Sequence, residues 1–414
     1  MNSSDILYQH EKTESSPSII RLQKFVKVMY LLYIILSYFE IYLAGFIGTS
    51  TKYLMLLIIC VLFYLYGGKI RISRYWVSFF LWFIYWCISI LWSSMVNNSV
   101  QAHFLSQIGI VLFIMAIDGR VLDEGFIRLN LQGHLWCSAL FGILSVLYHK
   151  PFFDGYAFVA RQVLTLFGRQ NDPNNCAAFL LTGIAIAAYS VIYEKKYPVI
   201  HLAIIAINSY ATLLTGSRAG LVGIGLVAVV FVFLPSQDRK VDVTGGIKKL
   251  IFLVIAGIAI YYLVSHFLPT ASLDRLLAFN EYQAGSGRTI KWKGALEFFY
   301  QKPIIGWGWG GLDFRSIGYA DSAHNTFLTL LCEGGIVGLG LFMFPIFLLS
   351  QYALKTKNVM VIILLISGLF PSFMIDAINK RFLWNAVIVA ILLTNYYHET
   401  GKYVTVWKPD EIKE

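Results

Sequence analysis

Six cations, Arg275, Arg288, Lys291, Lys293, Lys302 and Arg315, crowd a polar, aromatic and glycine-rich stretch from Pro269 to His324. The stretch ends in Ala323-His324-Asn325 at the mouth of a long apolar run. Guanidinium groups form planar, permanently charged forks that suit phosphate oxygens. Imidazole exchanges protons near neutral pH and can take one from a sugar hydroxyl. Together they suit a reaction in which an anionic leaving group is held while a hydroxyl is activated. Arg288 follows Gly285-Ser286-Gly287, a flexible approach that lets backbone amides and guanidinium meet one anion; an ordinary surface turn is the plainer reading.

A second arginine stands in Ser217-Arg218-Ala219-Gly220, at the outer end of an apolar run. An arginine at that depth faces a polar cavity or a partner, or else snorkels to the interface. His324 is the histidine of the long stretch, and beside Asn325 at a helix start it is the candidate for proton chemistry. Lys291 and Lys293 add field around an anion or bind lipid headgroups. The run Gly306-Trp307-Gly308-Trp309-Gly310-Gly311 offers flat faces to sugar rings, or anchors the chain at the interface as tryptophans commonly do. Asn171-Asp172-Pro173-Asn174-Asn175 reads as a turn into a helix with proline in its first turn. With Arg161 and Arg169 near in sequence, Asp172 is a candidate for lining the acceptor side. Asp376, with Lys380 and Arg381, either orients one of the arginines or forms a local ion pair.

The elements that position these residues are membrane helices. Hydrophobic residues make up 57% of the 414, charged residues 14%, and mean hydropathy is +0.66. Apolar runs predict twelve spans at about 28–47, 53–66, 75–92, 104–117, 126–148, 173–193, 198–214, 219–234, 250–268, 326–350, 358–375 and 382–397. The expected fold is therefore an all-α polytopic membrane protein. Residues 1–20 read as a disordered cytoplasmic tail, 21–400 as one transmembrane domain, and 401–414 as a second cytoplasmic tail. The outer loop 269–325, between the ninth and tenth spans, is expected to hold short helices, one of them over 287–299.

Charge sets the orientation. Arg21, Lys24 and Lys27 precede the first span, and most other cations fall in alternate loops, which places both termini inside. The basic loop 269–325 and the segment 149–172 then lie outside, where cations are scarce. The formal net charge of +10 reflects this orientation and anionic lipid, not nucleic acid. The five cysteines sit in apolar runs without a CxxC pair, which argues against a disulfide framework or a metal site. A Walker A loop, an HExxH pair and an Asp-x-Asp pair are missing from the sequence, so ATP-driven transport, zinc hydrolysis and nucleotide-sugar transfer lose ground.

These residues resemble the bacterial O-antigen ligase and polysaccharide polymerase superfamily. The likeness rests on Ser217-Arg218-Ala219-Gly220, on Gly287-Arg288 opening the loop helix, and on His324-Asn325 followed by Gly335 and Gly338. Asp376 and Arg381 after the penultimate span add to it. The resemblance implies about twelve helices with the outer loop as a lid, in the bacterial cytoplasmic membrane with the active site facing outward. It implies an undecaprenyl-diphosphate-linked glycan donor and a metal-independent, inverting transfer without cofactor. Arg218 and Arg288 would bind the leaving diphosphate and His324 would activate the acceptor hydroxyl. In a polymerase the acceptor is another lipid-linked repeat unit, with a chain-length regulator as a partner; in a ligase it is the lipid A core. The glycine–tryptophan run and the Asp172-Pro173-Asn174 turn lean toward a polymerase of O-antigen or capsular units.

Two other classes compete. A transporter of lipid-linked sugars would place charges along a midplane path and show an internal repeat. Here Glu40 is the acidic residue well inside a span, and the other charges gather at one face. A non-catalytic lipid-binding or assembly protein is a third reading, which the setting of His324 beside Asn325 disfavours without excluding it.

Overall fold

The computed structural model describes residues 17–48, 50–68, 72–93, 98–118, 123–153, 158–234, isolated positions between 247 and 266, 268–277, 288–311 and 323–408. Helices α1 (Pro17–Ile47), α2 (Ser50–Leu65), α3 (Arg74–Ser89), α4 (Asn98–Asp118) and α5 (Glu124–Leu147) come first. Strands β1 (His149–Phe153), β2 (Phe158–Leu166) and β3 (Arg169–Gln170) follow. Then come α6 (Pro173–Tyr189), α7 (Pro198–Leu214), α8 (Arg218–Phe233), α9 (Thr270–Leu277) and α10 (Arg288–Gln301). The chain closes with α11 (Thr326–Lys355), α12 (Val359–Leu369) and α13 (Arg381–Thr400).

Among the described residues, four helical stretches are long and apolar enough to cross a membrane: Pro17–Ile47, Arg74–Trp92, Pro173–Glu194 and Thr326–Lys355. Shorter apolar helices, among them Ser50–Leu65, Pro198–Leu214 and Arg218–Phe233, pack beside them. Helices occupy the other expected spans too, while the expected span 250–268 falls largely outside the described residues. Three expectations change. Helix α1 begins at Pro17, inside the expected tail 1–20, whose residues 1–16 lie outside the described residues. Residues 401–408 dock against the bundle, with Val404 and Val406 buried and Glu194 accepting from the Val406 and Trp407 amides at 2.6 and 3.3 Å. In the segment expected outside, β1, β2 and β3 form a three-stranded antiparallel sheet. Its β-branched Val159 and Val163 favour strand, and Phe167 and Gly168, both at positive φ, make the two-residue hairpin turn.

The axis of the bundle is α6, which packs on α5, α7, α8 and α12. Within its apolar window 78% is buried, against 33–39% for the other three long helices. Cys176, Ala177, Ala178, Gly183, Ala185 and Ala187 give it the small surface that lets neighbours approach without bulky intrusions. A methyl at Gly183 would run into the Ser138 hydroxyl, which itself donates to the Phe179 carbonyl at 3.2 Å and accepts from Asn208 Nδ2 at 2.9 Å.

A break in α11 fixes the start of that helix. Gly335 takes φ 63 and ψ −166, which interrupts the helix, and the turn at 303–308 supplies backbone partners there. Trp307 and Gly308 amides donate to the Cys332 and Glu333 carbonyls at 3.0 and 2.8 Å. In return the Ile336 and Val337 amides donate to the Pro303 and Ile304 carbonyls at 2.9 and 3.2 Å. Gly306, also at positive φ, is pressed against Glu333, and a Cβ on either glycine would overlap backbone. Gly335→Ala is therefore expected to cost at least ~2 kcal/mol. Thermal melting of the purified protein measures it, with Gly225→Ala, which meets open space, as the silent control.

Candidate active site

The α7–α8 corner is held from behind by β2. Arg161, 7% exposed, donates from Nε to the Thr215 carbonyl at 2.8 Å and from Nη2 to Asn174 Oδ1 at 2.9 Å. Ser217 Oγ donates to the same Asn174 oxygen at 2.9 Å and caps α8 by accepting from the Gly220 amide. Gly216, at φ 59, makes the bend. Arg218 thus becomes the first residue of α8. Asp172 caps α6 by accepting from the Asn174 and Asn175 amides at 2.8 and 3.2 Å. The sequence reading of a helix start there holds.

Arg288, expected on the outer loop, returns to this corner as the first residue of α10. Burial pushes its pKa down from the usual guanidinium range, Asp172 opposes that shift, and Arg218 adds to it through like charge. Those causes place Arg288, Asp172 and Arg218 in one electrostatic group. Arg288 Nη1 rests on Met374 Sδ at 3.7 Å, a neutral contact that adds no countercharge. Its expected Gly285-Ser286-Gly287 approach lies outside the described residues.

His324 joins the group through two pinned flanks. Trp292, one turn along α10 from Arg288, donates to the Ala323 carbonyl at 3.0 Å. On the other side Asn325 caps α11, accepting from the Phe327 and Leu328 amides at 3.0 and 3.1 Å. Thr326 donates to the Ile375 carbonyl from its amide and hydroxyl and accepts from the Ala377 amide. The Met374–Ala377 segment therefore touches Arg288 at one end and the start of α11 at the other, with Asp376 between them. His324 itself takes φ 48, a left-handed conformation costly for a side chain and kept only where its surroundings enforce it.

Other expected site residues lie apart or serve the scaffold. Trp309 is 4% exposed, stacked on Trp86 with centroids 6.2 Å apart, so its ring is not available to a sugar. Trp307 donates to the Phe298 carbonyl at 2.9 Å and carries Lys302 over its ring at 4.0 Å, a brace between α10 and the α11 break. Both belong to the glycine run that repairs α11. Arg169 is exposed at the hairpin tip, with its guanidinium against Gly45 of α1. Lys293 is exposed, whereas Lys291 is half-buried on the Arg288–Trp292 face of α10. Arg381 donates to Thr51 Oγ1 at 3.1 Å, and Thr51 donates to Glu40 from amide and hydroxyl. Arg381 and Glu40 thus form a network between α1, α2 and α13.

The sequence reading passed over Asn174, Met374, Trp292 and Glu333. Asn174 was in sight inside the Asp-Pro-Asn turn, but nothing in spacing shows that its oxygen serves two distant donors. Glu333 accepts from the Gly310 amide and lies within electrostatic reach of Asp376. Among the described residues there is no cluster of three or more His, Cys, Asp or Glu that could hold a metal. Residues 202–343, less than half of the chain, match the family profile described as O-Antigen ligase. That match supports the resemblance to the O-antigen ligase and polysaccharide polymerase superfamily. No curated protein matches the chain.

Proposed function

With the O-antigen ligase match as premise, we propose that the protein is a membrane glycosyltransferase that moves a glycan from a polyprenyl diphosphate to an acceptor hydroxyl. The observation that carries this reading is the meeting of Arg218 and Arg288, each at the first position of a helix, beside Asp172. Helix N-termini carry partial positive charge and ordinarily disfavour cations. Two arginines placed there, with the capped start of α6 adjoining, make a site that is unfavourable empty and favourable around a multivalent anion.

In the transition state negative charge grows on the leaving diphosphate, and fixed guanidinium groups stabilise it without rearranging. His324 takes the proton of the acceptor hydroxyl as the glycosidic bond to the diphosphate oxygen breaks and the new one forms. Inversion follows when the acceptor attacks opposite the leaving group. Polymerisation of repeat units at the outer face of the bacterial membrane is the first reading. Transfer to lipid A core is the second, favoured by the family description. The glycine–tryptophan run no longer favours a polymerase, because the repair of α11 accounts for it.

Purified protein given lipid-linked repeat units, with and without lipid A core, tests both. A product ladder without core is expected of a polymerase and a single core-linked product of a ligase. Formation of neither product, with both substrates intact, overturns the transferase reading.

A further inference from the structure

Asn174 touches both holders of the α7–α8 corner. Its Oδ1 accepts from Arg161 Nη2 and from Ser217 Oγ, each at 2.9 Å. It is 8% exposed, Arg161 7% and Ser217 1%, so water cannot readily replace either bond. The three residues come from α6, β2 and the start of α8, and Arg161 Nε closes the ring on the Thr215 carbonyl at the end of α7. The ring thus fixes the φ and ψ values of residues 215–217, and with them the direction in which α8 presents Arg218.

We propose that Asn174 is a positioning residue for the diphosphate grip, acting through Arg218 and not by touching the anion. This rests on the diphosphate reading above. It also gives Arg161 a different task from lining an acceptor: its charge stays behind the corner, while Nε and Nη2 hold the scaffold. Loss of the shared acceptor removes a bond from each of two buried donors and lets the bend relax, which misplaces a guanidinium by a fraction of an ångström to an ångström. Misplacement on that scale is enough to weaken a bidentate contact severely.

The test is binding of sugar-free polyprenyl diphosphate to the full-length protein in nanodiscs, in four forms: wild type, Asn174→Leu, Arg218→Ala and the double variant. Asn174→Leu is expected to weaken binding about tenfold in the wild-type background and less than twofold in the Arg218→Ala background. A general loss of structure would weaken both backgrounds alike. Equal loss in the two backgrounds, or no loss in the first, overturns the positioning role. If Asn174→Leu does not give a folded protein, Ser217→Ala enters the same cycle with the same thresholds. Wild-type protein that binds polyprenyl diphosphate no better than polyprenol overturns the diphosphate reading itself, a result distinct from a failed cycle.

Discussion

His324→Ala is expected to abolish glycan transfer, by about 10²- to 10⁴-fold, while the protein remains in the membrane at wild-type level. The expectation comes from how the residue is held. Trp292 pins the carbonyl before it, Asn325 caps the helix after it, and Thr326 locks that helix to Ile375. Between these anchors His324 is forced to φ 48. A strained histidine beside a cationic pocket points to function, because strain persists only where something else requires it. The backbone allows a cleaner variant. Glycine adopts this conformation without strain, so His324→Gly is expected to melt at or above the wild-type midpoint, by up to ~1 kcal/mol, and still to be inactive. Product formation and melting on the same preparations separate the two effects. Wild-type product from either variant would end the proposed role of the imidazole.

Much of this arrangement was legible in the sequence, and the exceptions have physical causes. Helices begin where Asp172, Ser217 and Asn325 can cap them, and capping is a local signal. The loop helix ends at Gln301, two residues before Pro303, as a proline stop requires. Arg218, Arg288 and His324 were marked by residue type and by their places at the ends of apolar runs. What local pattern could not give was use at a distance. The glycines around Trp307 looked like a sugar platform because their reason is distant in sequence: Gly306 is in close backbone contact with Glu333 and Gly335, and Gly308 with Ser89 and Ser93. The hairpin at 149–170 was obscured by its short length and by a turn, Phe167-Gly168, whose first residue seldom takes positive φ. Arg381 seemed a partner of Asp376 from proximity in sequence, yet its side chain reaches back to Thr51.

Arg288→Gln is expected to lower transfer by about 10²- to 10³-fold without lowering stability. Burial and the Arg218 charge both disfavour the Arg288 cation, and Asp172 only partly offsets them, so its folded-state pKa lies below the ordinary value. For a base, that direction means the charged form destabilises the fold at every pH below the folded-state pKa. The working range lies wholly inside that region, so the effect of removing the charge should not vary with pH there. A neutral glutamine removes desolvation and repulsion, and the melting midpoint should stay level or rise. The ligand reverses the order. Inorganic diphosphate should raise the melting midpoint of the wild type, because it binds the folded state, and should do so much less for Arg288→Gln. Arg218→Lys provides the companion case: one ammonium keeps the charge but not the fork, and at least a tenfold loss of transfer is expected. Full activity in Arg218→Lys would make that arginine structural. An Arg288→Gln protein that is less stable than wild type, and equally stabilised by diphosphate, would mean that the two guanidinium groups meet for the sake of the fold and not for an anion.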